Sequence, residues 1–358
     1  METIDAAVVG GGQSGLAAAH ELRKRGLQPV VLEVSERAVG SWPRYYDSLT
    51  LFSPAGYSSL PGMPFGGDPD RYPHRDEVIN YLARYGDHLD AEIRTNTAVE
   101  SIERDGNGGF ILRTADGLTL NAAGVVAASG TFRNPVLPNL PGQETFTGQV
   151  LHVVDYRNPA PFTGKRVVVV GGGNSAVQVA YELGEVARTT LATRAPIQFW
   201  PQIKGGKDLH HWLKASGFDT LPGPWLKPAL SGTPVIDAGR YQQSLATGRM
   251  DRRQMFSALD GDCVVWADGT REKTDAVLLA TGYRPNLPYL AKLDALDADG
   301  VPLHAGGIST VVPGLVYTGL ELQRSFSSNT LRGVGKDAAH VSGPLAAHVR
   351  KATAAVGL

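Results

Sequence analysis

The run VVGGGQSG places Gly10, Gly12 and Gly15 directly after an apolar, strand-like stretch and at the start of a helix-like one. The first glycine permits a tight turn, the second lets the backbone approach a pyrophosphate, and the third lets helix and strand pack. The helix start, with Gln13 and Ser14, then turns its amides toward the anion. Glu33 closes the next strand, roughly 20 residues on, where a carboxylate takes hydrogen bonds from ribose hydroxyls and repels a 2′-phosphate. A lone glycine-rich turn also serves plain geometry, but with Glu33 in place a dinucleotide, FAD or NAD, fits better. The pattern recurs in RVVVVGGGNSAVQVA, where Gly171, Gly173 and Ala176 fill the glycine positions and Asn174 and Ser175 open the helix. The strand that follows ends at Thr193-Arg194, where an acid would select NAD. Arg194 is a surface arginine or a 2′-phosphate ligand, and the second role makes NADPH the cofactor, with NADH as the alternative. With two such sites, FAD goes to the first and the nicotinamide cofactor to the second.

The elements that must position these residues form two βαβ units. The first reads as strand 5–9, helix 14–25 and strand 29–33; the second covers 165–194. Residues 35–73, rich in Gly, Pro, Ser and aromatics, read as a ligand-covering loop, 75–85 as a helix, and 91–130 as an antiparallel meander broken by Asp-Gly and Asn-Gly turns. The runs AASG at 127–130, ending on the candidate cofactor contact Gly130, and LLATGYRPN at 278–286 bracket an insertion. The expected fold is α/β, with two dinucleotide-binding Rossmann-like domains. An NAD(P)H-binding domain over 151–274 is inserted in an FAD-binding domain made of 1–150 and 275–358. The stretch 195–261 has too little periodicity to place, and 335–358 reads as a surface helix.

A net charge of -1 supplies neither a basic face for nucleic acid nor a polybasic run for a membrane, and the start of the chain lacks signal-peptide character, so a cytoplasmic protein is expected. Cys263 is the only cysteine, which excludes an intrachain disulfide and the Cys-x-x-Cys pair of flavin-dependent disulfide reductases. No zinc-like spacing emerges from His210-His211, and no G-x-S-x-G turn is present, so neither a metal site nor a hydrolase is expected.

The segment FTGQVLHVVDYR fits the fingerprint Phe-x-Gly-x-x-x-His-x-x-x-Tyr through Phe146, Gly148, His152 and Tyr156. With it, nearly the whole chain resembles a class B flavoprotein monooxygenase. The likeness is to the small bacterial flavin-containing monooxygenases and the arsenite-operon flavin monooxygenase group, with a glutathione-reductase-like arrangement of domains. Tyr156 stands where Baeyer-Villiger relatives carry Trp. The resemblance implies that reduced FAD captures O2 as a C4a-hydroperoxide that oxygenates soft heteroatoms such as sulfides and amines. The alternatives are an NAD(P)H oxidase releasing H2O2 and a Baeyer-Villiger monooxygenase. Partners are then a small-molecule substrate and O2, with a homodimer as the expected assembly. It further implies that Gly40, Ser41 and Trp42 lie along the flavin, although Val39 alters the family's Gly-Gly-x-Trp context. The loop 51–62 should lie beside the isoalloxazine ring, with Phe52 and Ser53 where many relatives place an asparagine. Phe52, Ser53, His152 and Tyr156 form the candidate catalytic set, His152 as a linker between domains rather than a proton donor. Near the end of the chain, Ser327 and Ser328 are candidate helix caps, so that Ser328, Asn329, Thr330 and Leu331 would face the flavin pyrimidine.

Overall fold

A computed structural model of the chain describes residues 2–226 and 234–356. β1 (Glu2–Val9) ends in four fully buried residues because parallel neighbours flank it on both sides: β2 (Pro29–Leu32) and a later strand, Thr119–Ala127. Such strands are apolar on both faces, which accounts for the unbroken run AAVV. α1 (Gln13–Arg23) packs tightly on the sheet through Leu16, Ala17, Ala18 and Ala19, all without exposure. α2 (Arg75–His88) starts at a capping box in which the His74 ring accepts from the Asp76 amide while Glu77 accepts from the His74 amide.

β3 (Glu92–Arg94) pairs parallel to β2, so it leaves the meander expected over 91–130. That meander is instead β4 (Val99–Arg104), β5 (Phe110–Thr114) and β6 (Thr119–Ala127), antiparallel to one another, with β6 continuing into the main sheet beside β1. The strand Leu315–Tyr317 closes the other side of β6 in parallel.

The second sheet has five strands, all parallel: Asp251–Gln254, Arg188–Thr193, Arg166–Val170, Ala276–Leu279 and Gln149–His152, in that spatial order. Two of these strands shift the expected edges of the inserted unit. Gln149–His152 starts before 151, and Ala276–Leu279, assigned to the first unit, lies in the middle of the second sheet. Its four residues are buried, and a buried apolar run carries no mark of which sheet will pair with it. The helix Asn174–Leu183 covers this sheet as α1 covers the first.

The C-terminal helix (Leu331–Val356) starts four residues before the expected 335 and is not a surface helix. Val334, Ala338, Val341, Leu345, Ala346 and Val349 are buried in the cluster that holds α1, because apolar residues at three- and four-residue spacing make one stripe along the helix. The final two residues of the expected helix, 357–358, lie outside the described residues. No helix among the described residues is long and apolar enough to cross a membrane.

Candidate functional site

At the end of β1, Gly10 has φ +110°, and a Cβ there would sit 2.6 Å from the Ala128 carbonyl oxygen, so only glycine fits. A Cβ on Gly15 would meet the Gly10 carbonyl at 1.8 Å, which is how α1 seats on the turn. Gly12 is the N-cap of α1, and no side chain bonds the amides that follow it. Those amides face the site without an internal partner, the arrangement an anion requires. Glu33 is buried; its Oε2 accepts from the Gly11 amide at 2.6 Å and its Oε1 from the Ser35 amide at 2.9 Å. Gln13 joins three distant segments: its Oε1 accepts from Trp42 Nε1 at 3.2 Å, and its Nε2 donates to the Asn329 carbonyl at 2.9 Å.

The second glycine turn repeats the first. Gly171 has φ +137° and a Cβ would lie 2.5 Å from the Ala280 carbonyl, as Gly10 meets Ala128. Gly173 caps the helix Asn174–Leu183, again with no side-chain bond to its amides. The AASG and LLATG runs thus do the same job: each brings a carbonyl against the first glycine of one turn.

One cavity of about 730 Å³ reaches from the first helix start to the second. Of the residues expected from sequence, Gly10, Gly12, Gln13, Ser14, Glu33, Ser41, Trp42, Phe52, Ser53, Gly130, Asn174, Ser175, Asn329, Thr330 and Leu331 line it. Asn174 also ties the second helix start to a neighbouring strand, donating to the Pro234 carbonyl at 3.0 Å and accepting from the Ile236 amide at 3.2 Å. Ser53 is buried, its hydroxyl 3.0 Å from that of Ser58. Phe52 is 37% exposed, and its carbonyl accepts from Gln202 Nε2 at 3.0 Å.

Other expected residues lie elsewhere. Gly15, Gly171 and Gly173 shape turns behind the cavity wall. Arg194 is exposed at the end of its strand, with Gln254 Nε2 on its carbonyl at 3.1 Å and no partner for its guanidinium among the described residues. His152 and Tyr156 are buried away from the cavity lining. His152 Nδ1 accepts from the Val154 amide at 3.1 Å, its ring stands edge-on to Tyr283, and burial lowers its pKa. The Tyr156 hydroxyl donates to Glu182 Oε2 at 2.7 Å, and burial pushes its pKa well up. The expected caps are corrected too. Ser327 Oγ donates to the Asp219 carbonyl at 3.0 Å, while the fully buried Ser328 Oγ accepts from the Arg324 and Ser325 amides. A serine before an apolar run can equally bond upstream, so the pattern alone does not choose.

The stretch that sequence could not place supplies a wall of the cavity, through Trp200, Leu209, His210 and Leu213. Asp208 N-caps the short helix Leu209–Ala215, accepting from the His210 amide at 2.8 Å, and also binds His210 Nδ1 at 2.8 Å, Gln202 Nε2 at 2.6 Å and the Tyr72 hydroxyl at 2.6 Å. Burial pushes the Asp208 carboxyl up, but these donors outweigh it and hold the pKa below the usual carboxylate value. An acid directly before the run LHHWL was the available signal. Arg332, at the start of the C-terminal helix, lines the cavity while held bidentately by Asp219 at 2.9 and 3.0 Å.

Residues 7–216 match the family described as pyridine nucleotide-disulphide oxidoreductase. The chain is similar to a flavin-containing monooxygenase from Stenotrophomonas maltophilia, whose solved structure superposes with a TM-score of 0.84 at 31% identity, over 99% of this chain and 100% of that one. It is 30% identical to an uncharacterized CzcO-like oxidoreductase of Geobacillus kaustophilus, over 96% of this chain and 99% of the relative. It is also 30% identical to indole-3-pyruvate monooxygenase YUCCA1 of Oryza sativa subsp. japonica, over 80% and 78%.

Proposed function

Since this chain belongs to the pyridine nucleotide-disulphide oxidoreductase family and is a class B flavoprotein monooxygenase using FAD, NADPH and O2, we propose that it oxygenates soft heteroatoms, sulfides and amines, in small apolar molecules. The observation that carries this reading is the single cavity running from the uncapped start of α1 to the uncapped start of the second helix, with an apolar wall between them. Residues suited to both cofactors thus open on one space.

Bound FAD supplies hydride acceptance from NADPH and activation of O2. The chain's own residues have the simpler tasks of binding, orienting and excluding water. We assign the FAD cradle to Gly10, Gly12, Gln13, Ser14, Gly15 and Glu33, with Ser41, Trp42 and Gly130 beside them and Asn329, Thr330 and Leu331 closing the far side. Gly171, Gly173, Asn174, Ser175 and Arg194 are assigned to NADPH. Phe52 and Ser53 line the reaction space and limit water there; Phe52 offers bulk and no proton. His152 and Tyr156 act through the packing between the two sheets.

The exposure of Phe52 favours one rival reading, an NADPH oxidase in which water reaches the flavin and oxygen leaves as H2O2. Parallel assays of NADPH consumed, H2O2 released and sulfoxide formed from methyl phenyl sulfide separate the two. Sulfoxide close to equimolar with NADPH supports the monooxygenase reading on heteroatoms; peroxide equimolar with NADPH and no sulfoxide refutes it.

A further inference from the structure

The glycine turn assigned to FAD offers an anion only backbone amides, with an acid, Glu33, beside them. A cation is nonetheless at hand. Arg133, on the loop after β6, lines the cavity, and its guanidinium makes no hydrogen bond or ion pair among the described residues. The other arginine of the lining, Arg332, is held by Asp219.

The loop that carries Arg133 is fixed from behind. The Asn286 amide donates to the Gly130 carbonyl at 3.0 Å, Asn134 Nδ2 donates to the Pro285 carbonyl at 3.0 Å, and the Arg284 amide donates to the Asn134 carbonyl at 2.9 Å. The neighbouring segment, 40–45, is seated on the glycine turn. Trp42 bonds Gln13, and a Cβ on Gly40, which has φ +61°, would lie 2.8 Å from the Gly12 Cα. The two segments touch through Tyr45 and Phe132, with ring centroids 5.0 Å apart, and each carries an arginine next to its contact residue, Arg44 and Arg133.

Burial lowers the Arg133 pKa and the like charge of Arg44 lowers it further, with Glu33 pulling the other way. Both Glu33 oxygens are already taken, by the Gly11 and Ser35 amides. A partly buried cation, repelled by a second one, thus stands at the cradle with no ion-paired carboxylate. An anion from outside removes that penalty, and the anion that suits an uncapped helix start behind a glycine turn is a phosphate group.

We propose that Arg133 is a ligand of the FAD diphosphate, supplying the positive charge that the amides of the glycine turn lack. This rests on the reading that puts FAD at the first glycine turn. Arginine suits the task, since its planar fork of donors pairs with phosphate oxygens and keeps its charge when partly buried. The bound diphosphate then ties the loop after β6 to the glycine turn.

The test is the Kd for FAD of wild type and Arg133→Gln, read from the flavin fluorescence released on dilution of the holoprotein at several KCl concentrations. The substitution keeps a polar side chain and removes its charge. It raises Kd at least about tenfold at low salt, the scale of one hydrogen bond to a charged group, and the gap narrows as KCl screens the wild-type contact. Stripped of flavin, the variant melts no lower than wild type, because it has lost an unbalanced cation. With FAD in saturation, its KM for NADPH stays within a factor of about two. An unchanged Kd overturns the proposal. So does weaker binding whose salt dependence equals that of wild type, or a flavin-free variant that melts lower, since both are marks of packing and not of charge on phosphate. A raised KM for NADPH at unchanged FAD affinity assigns Arg133 to the other cofactor and also overturns it. Glu33→Gln, measured alongside, separates the proposal from the reading beneath it. If it releases FAD and Arg133→Gln does not, only the role of Arg133 falls; if neither releases FAD, the location of FAD at the first glycine turn falls as well.

Discussion

Glu33 Oε2 accepts a hydrogen bond from the Gly11 amide at 2.6 Å, so the acid that follows β2 also pins the turn that begins α1. The two are 22 residues apart in sequence, and a Cβ on Gly11 would meet the Glu33 Cβ at 2.9 Å. The carboxylate therefore has a structural duty besides the one assigned to it at the FAD ribose. Glu33→Gln sets an amide group against donors that need an acceptor, at a cost of about 1–3 kcal/mol. The purified variant should be paler, with a lower ratio of flavin to protein absorbance and a lower melting temperature that added FAD partly restores. Full flavin content with an unchanged melting temperature would falsify the assignment.

Arg194, just past the end of its strand, has no partner for its guanidinium among the described residues, and the neighbouring Arg252 is occupied, its Nε donating to Thr193 Oγ1 at 2.8 Å. Arg194→Ala should raise the KM for NADPH about tenfold, the scale of one hydrogen bond to a charged group, and leave the KM for NADH nearly unchanged. Steady-state kinetics with both cofactors decide this, and an equal rise with NADH removes Arg194 from the 2′-phosphate site.

Tyr156 is packed between Tyr46 and Phe162 with its hydroxyl on Glu182, one ring behind the cavity lining and not part of it. Tyr156→Phe should lower stability by about 1 kcal/mol in urea unfolding and leave kcat for NADPH oxidation within a factor of about two. A large fall in kcat at undiminished stability would return Tyr156 to the chemistry.

Asp337 lies buried on the C-terminal helix with Arg324 at 3.2 Å, and burial raises its pKa despite the opposing pull of Ser328 and Arg324. A raised carboxyl pKa favours the protonated form in the fold. Its contribution to stability is complete below the unfolded-state pKa and is lost as pH rises through the folded-state value. Asp337→Asn has no charge to bury, so its urea midpoint should gain on wild type as the pH rises out of the carboxylate range. A difference between the two that stays flat across pH counts against this account.

The sequence alone determined the two glycine turns. Gly10, Gly12 and Gly15, and Gly171 and Gly173, show their turns in fixed spacings, because a turn between a strand and a helix is a local object. The single cysteine and the charge balance likewise needed no coordinates. Only the tertiary structure decided which buried run joins which sheet, since the residues of Ala276–Leu279 satisfy any interior parallel position. Only packing showed that the Val334, Ala338, Val341 and Leu345 stripe of the C-terminal helix rests on α1 and that Ser328 bonds upstream. The wall formed by Trp200, Leu209, His210 and Leu213 was hidden for the same reason. Its elements are too short for periodicity to register, and they are held by contacts to Phe52 and Tyr72, more than a hundred residues away in the chain.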